Sequence, residues 1–132
     1  DKCSQKFPLE GGGKALKSFM HAQDLADAII SILHSNKFGR IYNAGVEKPN
    51  SIREIVETVS NNLKLDFNNF CVITEGRKTE DKQYCIDSSY IKKELGWEAK
   101  ITLDDGIDEV VQWVKKYKEI LIKEPQNFTL RA

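Results

Sequence analysis

"EGRKTEDKQYCIDSSYIKKELGW" (residues 75–97) is the stretch on which the reading of the chain turns. Its first part is polar and sets Arg77 and Asp81 four residues apart. A short extended piece, KQYCID (82–87), follows, and then a helix, SYIKKEL (89–95), capped by Ser88 or Asp87. Gly96 stops that helix in the way a left-handed C-terminal residue does. A strand feeding a helix in so few residues is the unit of an α/β or α+β domain.

The same alternation continues outward. FCVITE (70–75) reads as a buried strand, preceded by a helix in which Ile52, Ile55, Val56, Val59 and Leu63 make one apolar stripe. Ser51 starts that helix, and Glu54 completes a capping box. GRIYNAGV (39–46) reads as a strand, and QDLADAIISILHSN (23–36) as a helix with Leu25, Ala28, Ile29, Ile32 and Leu33 on one face. LKSFMH (16–21) reads as a short strand after a flexible glycine turn, EGGGK (10–14). Downstream, Thr102 begins a last helix with Asp104 and Asp105 in its first turn, where carboxylates suit the dipole. Ile107, Val110, Val111, Val114, Tyr117 and Leu121 are expected on its buried face, and Pro125 at its end. The expectation is one α/β (α+β-like) domain over 1–132, three to four helices on a small sheet, with 123–132 as a tail.

The chain has 132 residues, 40% of them apolar, enough to bury a core. Lys+Arg and Asp+Glu both total 20, so no global charge favours nucleic acid or an anionic membrane as partner. No apolar run approaches the roughly 18–20 residues of a membrane span, and no signal peptide is visible. Cys3, Cys71 and Cys85 are odd in number and widely spaced, which fits reduced thiols in a cytoplasmic protein better than disulfides or zinc. Cys71 and Cys85 fall in strand-like segments and read as buried, inert thiols.

A catalytic centre does not emerge from these residues. The glycines at 11–13 form neither Gly-x-Gly-x-x-Gly nor a P-loop, Gly-x-Ser-x-Gly is absent, and His21 and His34 lack metal-ligand spacing. Val46, Ser88, Glu94 and Leu121 stand four residues after the tyrosines, so Tyr-x-x-x-Lys does not occur. What the chain does offer is groups that grip an anion. Arg77 carries a fork of donors matched to phosphate oxygens, Lys17 follows the glycine turn, and Asp81 could orient Arg77 or accept a ligand hydroxyl.

In order and spacing, four segments resemble the carboxyl-terminal half of the extended short-chain dehydrogenase/reductases that act on nucleotide sugars, such as dTDP-glucose 4,6-dehydratases and NAD-dependent epimerases. They are GGGKALKSFMHAQDLADAI (11–29), GRIYNAGVEKPNSIREIVE (39–57), GRKTEDKQYCIDSSYIKKELGW (76–97) and ITLDDGIDEVVQWVKKY (101–117). The likeness covers about residues 7–122. It implies a substrate-binding lobe lacking most of its Rossmann half, which in the intact enzyme would bind NAD and supply the Tyr-x-x-x-Lys pair; this chain alone would bind no cofactor and be inactive.

The resemblance places Lys17 where the family has a diphosphate-binding arginine, and matches Arg77 to a second one. Asp81 matches the aspartate that follows, and Ser51 a small polar residue near the nucleotide, although capping explains Ser51 equally well. Glu80 stands where several dTDP-glucose dehydratases have histidine, which weighs against that one assignment. His21 and Asp24 are read as structural, Trp97 and Trp113 as core. The expected ligand is a nucleotide-diphosphate sugar, and the expected partners are the Rossmann half and a second copy in a homodimer. The alternatives are a UDP-sugar epimerase or decarboxylase lobe and a non-catalytic interaction module.

Overall fold

The computed structural model describes residues 6–77, 79 and 81–124. In chain order the elements are β1 (Phe7–Glu10), a 3-10 turn (Gly11–Gly13), β2 (Leu16–Lys17), α1 (Ala22–His34), β3 (Asn50–Ser51) and α2 (Ile52–Asn62). Then come α3 (Phe67–Phe70), β4 (Cys71–Thr74), β5 (Gln83–Tyr84), α4 (Ser89–Leu95) and α5 (Leu103–Leu121). The class is α/β, as expected, but the strands form two small sheets instead of one. β1 pairs in parallel with β4, while β2 lies between antiparallel β3 and parallel β5.

The helices start where local chemistry puts them. Ser51 accepts the Glu54 N–H at 3.1 Å while the Glu54 carboxylate accepts the Ser51 N–H at 2.6 Å, a complete capping box. Thr102 accepts the Asp105 N–H at the start of α5, and Asp87 accepts the Ser89 N–H before α4. Gly96 closes α4 with φ 67°. His21 caps α1 by accepting the Gln23 N–H on Nδ1, so its role here is structural.

Two clusters make the interior. Leu9, Val56 and Cys71 pack with Ile52, Phe67 and Phe70, and Ala28, Ile91 and Trp97 pack with Met20, Ile32 and Tyr42. Asp24 is buried at the start of α1, where its two carboxylate oxygens accept the N–H groups of Lys100 and Ile101, both at 3.0 Å. Those bonds tie α1 to the segment leading into α5.

Several sequence expectations fail for one reason: periodicity shows that a face is apolar, not what covers it. Segment 39–46 has no strand, because no neighbour among the described residues supplies a ladder, and Ile41 is 89% exposed. The strand expected over 16–21 is confined to Leu16–Lys17, and that over 82–87 to Gln83–Tyr84. On α1, Leu25, Ile29 and Leu33 are exposed, as are Val110, Val114 and Trp113 on α5. Trp113 is therefore not core, unlike Trp97. Cys85 is exposed, whereas Cys71 is buried and its thiol is pushed up by desolvation.

The glycine stretch is packed, with Gly12 and Gly13 buried, so it is not the loose turn expected. A Cβ on Gly13, which has φ +67°, would lie 2.8 Å from both the Arg53 backbone nitrogen and Leu9 Cδ1. Pro125, Cys3 and most of the expected tail lie outside the described residues; α5 ends at Leu121. No helix among the described residues is long and apolar enough to cross a membrane.

Asp24→Ala removes both acceptors of two part-buried N–H groups at once and is expected to lower unfolding stability by about 1–3 kcal/mol, read from the urea midpoint.

Candidate functional site: a charged cavity lined by Lys17 and Arg77

The segment 75–82 is held at both ends by parallel pairing. At its start, β4 places Thr74 opposite Glu10, the last residue of β1. At its end, β5 pairs Tyr84 with Lys17, the last residue of β2, and the Lys82 carbonyl accepts the Leu16 N–H at 3.0 Å. The Gly11–Gly13 turn joins β1 to β2, so the two clamps stand side by side. Arg77 and Asp81 sit on the segment between them.

The result is a cavity of about 510 Å³. Its lining combines the apolar Phe7, Pro8 and Ile52 with the charged Glu10, Lys17, Arg77 and Asp81. Lys17 Nζ lies 3.4 Å from the Asp81 carbonyl oxygen and 6.0 Å from the centre of the Tyr84 ring. Arg77 Nε lies 2.9 Å from Glu10 Oε2, and both of these side chains are solvent-accessible. Of the four residues singled out in the sequence, the fold thus brings Lys17, Arg77 and Asp81 to one cavity. Ser51 is not among its lining residues, although its neighbour Ile52 is. The Ser51 hydroxyl is occupied by capping, accepting from the Glu54 N–H and lying 3.0 Å from the Glu54 carboxylate.

Sequence reasoning missed Glu10 and all of β1. Phe7 and Leu9 alternate with Pro8 and Glu10, but four residues containing a proline make a weak strand signal; Pro8 is tolerated because β1 has a partner on one side only.

A second cavity, about 540 Å³, lies between residues 45–47, 86–89 and 97–102. Its Lys92 is already engaged by Glu47 at 2.8 Å and Glu98 at 2.7 Å, and these contacts hold the ammonium above its ordinary range. Among the described residues no group of three or more His, Cys, Asp or Glu side chains is placed to hold a metal ion.

A lobe of this fold occurs in solved nucleotide-sugar enzymes. The chain belongs to the GDP-mannose 4,6 dehydratase family, whose model matches residues 2–110. Among solved structures, dTDP-glucose 4,6-dehydratase from Bacillus anthracis, in complex with NAD, superposes with a TM-score of 0.77 at 31% identity, over 87% of this chain and 36% of that one. A dTDP-glucose 4,6-dehydratase of Streptomyces griseus is 29% identical over 113 residues, 86% of this chain and 34% of its own length. A trifunctional UDP-glucose 4,6-dehydratase/UDP-4-keto-6-deoxy-D-glucose 3,5-epimerase/UDP-4-keto-L-rhamnose-reductase of Arabidopsis thaliana is 25% identical over 115 residues, 87% of this chain and 17% of its own. The chain thus spans about a third or less of the length of these relatives, and corresponds to the carboxyl-terminal part of the short-chain dehydrogenase/reductase fold.

Ser51→Ala is expected to cost about 1 kcal/mol at neutral pH, seen as a lower urea midpoint. The Glu54 carboxyl is held below its ordinary value of 4.5, first by the Ser51 N–H and then by its hydroxyl. Its stabilising contribution is therefore present above pH 4.5 and lost as the pH falls through the lower folded value. The gap between the parent protein and Ser51→Ala should narrow over that acid window.

Proposed function

We propose that this chain is the lobe that grips the diphosphate of a nucleotide sugar, for an enzyme that dehydrates or epimerises the sugar. The observation that carries the reading is that Lys17 and Arg77 line one cavity together with apolar residues. A nucleotide sugar has the matching order of parts: a flat, weakly polar base at one end and a doubly charged linker next to its ribose. The guanidinium of Arg77 would meet two phosphate oxygens at once, and Lys17 would add a point charge from the β2 side. Asp81, on the same segment, is free to accept a sugar or ribose hydroxyl. Ser51 would act through α2, holding Ile52 against the cavity.

In this reading the lobe contributes orientation. Fixing the diphosphate fixes the sugar relative to reacting groups elsewhere, and misplaced reactants forfeit most of the proximity gain. The Gly11–Gly13 turn is no Gly-x-Gly-x-x-Gly cradle, and its packing at Gly13 against Arg53 and Leu9 supports a site for NAD elsewhere. Any NAD of the intact enzyme belongs with the Rossmann half, which would also be this lobe's partner. The exposed apolar residues of α1, Leu25, Ile29, Ile30 and Leu33, supply a face on which that half could dock. A UDP-sugar epimerase or decarboxylase lobe would use the same cavity in the same way, since those reactions differ at the sugar and not at the diphosphate.

Arg77→Ala in the full-length protein is expected to weaken binding of UDP- and dTDP-sugars by about tenfold or more, the loss of a charge-assisted contact. Lys17→Ala should weaken it less. Titration calorimetry reads both, and an Arg77→Ala protein that binds these ligands as tightly as the parent would remove the cavity from the substrate site.

A further inference from the structure

Among the described residues lining the cavity the charges balance: two cations, Lys17 and Arg77, and two carboxylates, Glu10 and Asp81. The carboxylates are not equivalent. Asp81 meets a cation through its backbone carbonyl, 3.4 Å from Lys17 Nζ, whereas Glu10 places a carboxylate oxygen 2.9 Å from Arg77 Nε. That is the position an anionic ligand's oxygen would take. The meeting is dictated by backbone, since the β1–β4 pairing sets Glu10 opposite Thr74, three residues before Arg77.

Resting on the diphosphate reading of this cavity, we propose that Glu10 is a built-in counter-ion that competes with the ligand's diphosphate for the Arg77 guanidinium, and so sets the affinity and charge selectivity of the site. The Glu10 and Arg77 side chains are 49% and 73% exposed, so their pairing is weak and reversible, worth no more than about fivefold in an equilibrium constant. A diphosphate offers more charge and more oxygens than one carboxylate, and it can meet the guanidinium fork bidentately. It therefore displaces Glu10, whose side chain has solvent to turn into. A ligand without phosphate gains nothing from Arg77 and leaves the pair closed. The Arg77 charge is thus compensated while the pair is closed, and only an anion able to outbid a carboxylate opens it.

The test is calorimetry on the full-length protein, with UDP and dTDP as charged probes and uridine and thymidine as uncharged ones. Glu10→Gln is expected to tighten both diphosphates by about three- to fivefold and to leave both nucleosides unchanged. Glu10→Asp keeps the charge but shortens the reach, and should give part of the same gain. In an Arg77→Ala background the gain from Glu10→Gln should vanish, because there is no guanidinium left to contest. Diphosphate affinity that is unchanged or weaker in both Glu10 variants overturns the competition. So does a gain that persists undiminished without Arg77, which would indicate plain repulsion between carboxylate and phosphate. These outcomes separate from failure of the underlying reading, which shows instead as Arg77→Ala binding diphosphates as well as the parent.

Discussion

The constraint on which the rest of the structure depends is a pair of short parallel ladders set on either side of one glycine turn. β1 holds β4 and β2 holds β5, so the segment from 75 to 82 must cross the gap between two fixed points. The turn that joins β1 to β2 can be that tight because nothing larger than hydrogen fits at Gly13, against Arg53 and Leu9. With both ends of the crossing segment pinned, Arg77 and Asp81 have little freedom over where they sit, and Lys17 is delivered from the facing strand. A similar close approach operates on the other side of β2. There a Cβ on Gly45 would come within 2.9 Å of Ile86 and 3.0 Å of the Ser18 hydroxyl, which itself accepts the Val46 N–H.

The lobe divides its surface between two physical tasks. Its cavity is polar, charge-balanced and built from strand ends. Its apolar residues are only partly used: the two buried clusters are small, and much of α1, α5 and the 39–46 segment presents large hydrophobic side chains to solvent. A chain that aligns with about a third of the dehydratases it resembles would be expected to carry such surfaces, since contacts made by the other two thirds are absent from it. The buried Asp24 shows how the lobe keeps its own geometry nonetheless. One carboxylate stitches the start of α1 to residues 100 and 101, so that the long final helix leaves in a fixed direction.

How much of this was legible in the sequence differs from element to element. α2 was legible because its evidence is local: Ser51, Glu54 and the stripe from Ile52 to Val59 lie within three turns. β1 was not, because four residues including Pro8 say little until β4 is seen beside them. The 39–46 segment has the composition of a strand, yet a strand is a relation between two segments, and among the described residues no second member pairs with it. Trp113 and Trp97 looked alike as core aromatics; the fold buries Trp97 against Ala28 and Ile91 and leaves Trp113 half exposed on α5. At the site, Lys17, Arg77 and Asp81 could be singled out as candidates from residue type and order, and the fold sets all three at one cavity. That Glu10 occupies Arg77, and that the Ser51 hydroxyl belongs to a helix cap, needed coordinates.

The sequence by itself determined where α2, α4 and α5 begin, which faces are apolar, the family likeness and the supply of cations, but not the short α3. All of these rest on neighbours a few residues apart, where capping and helical spacing act. Only the tertiary structure decided which cations meet, which carboxylate answers them and which apolar faces are covered. The physical reason is distance along the chain: Lys17 and Asp81 are 64 residues apart and become neighbours only through parallel strand pairing, whose register has no local signature in either segment.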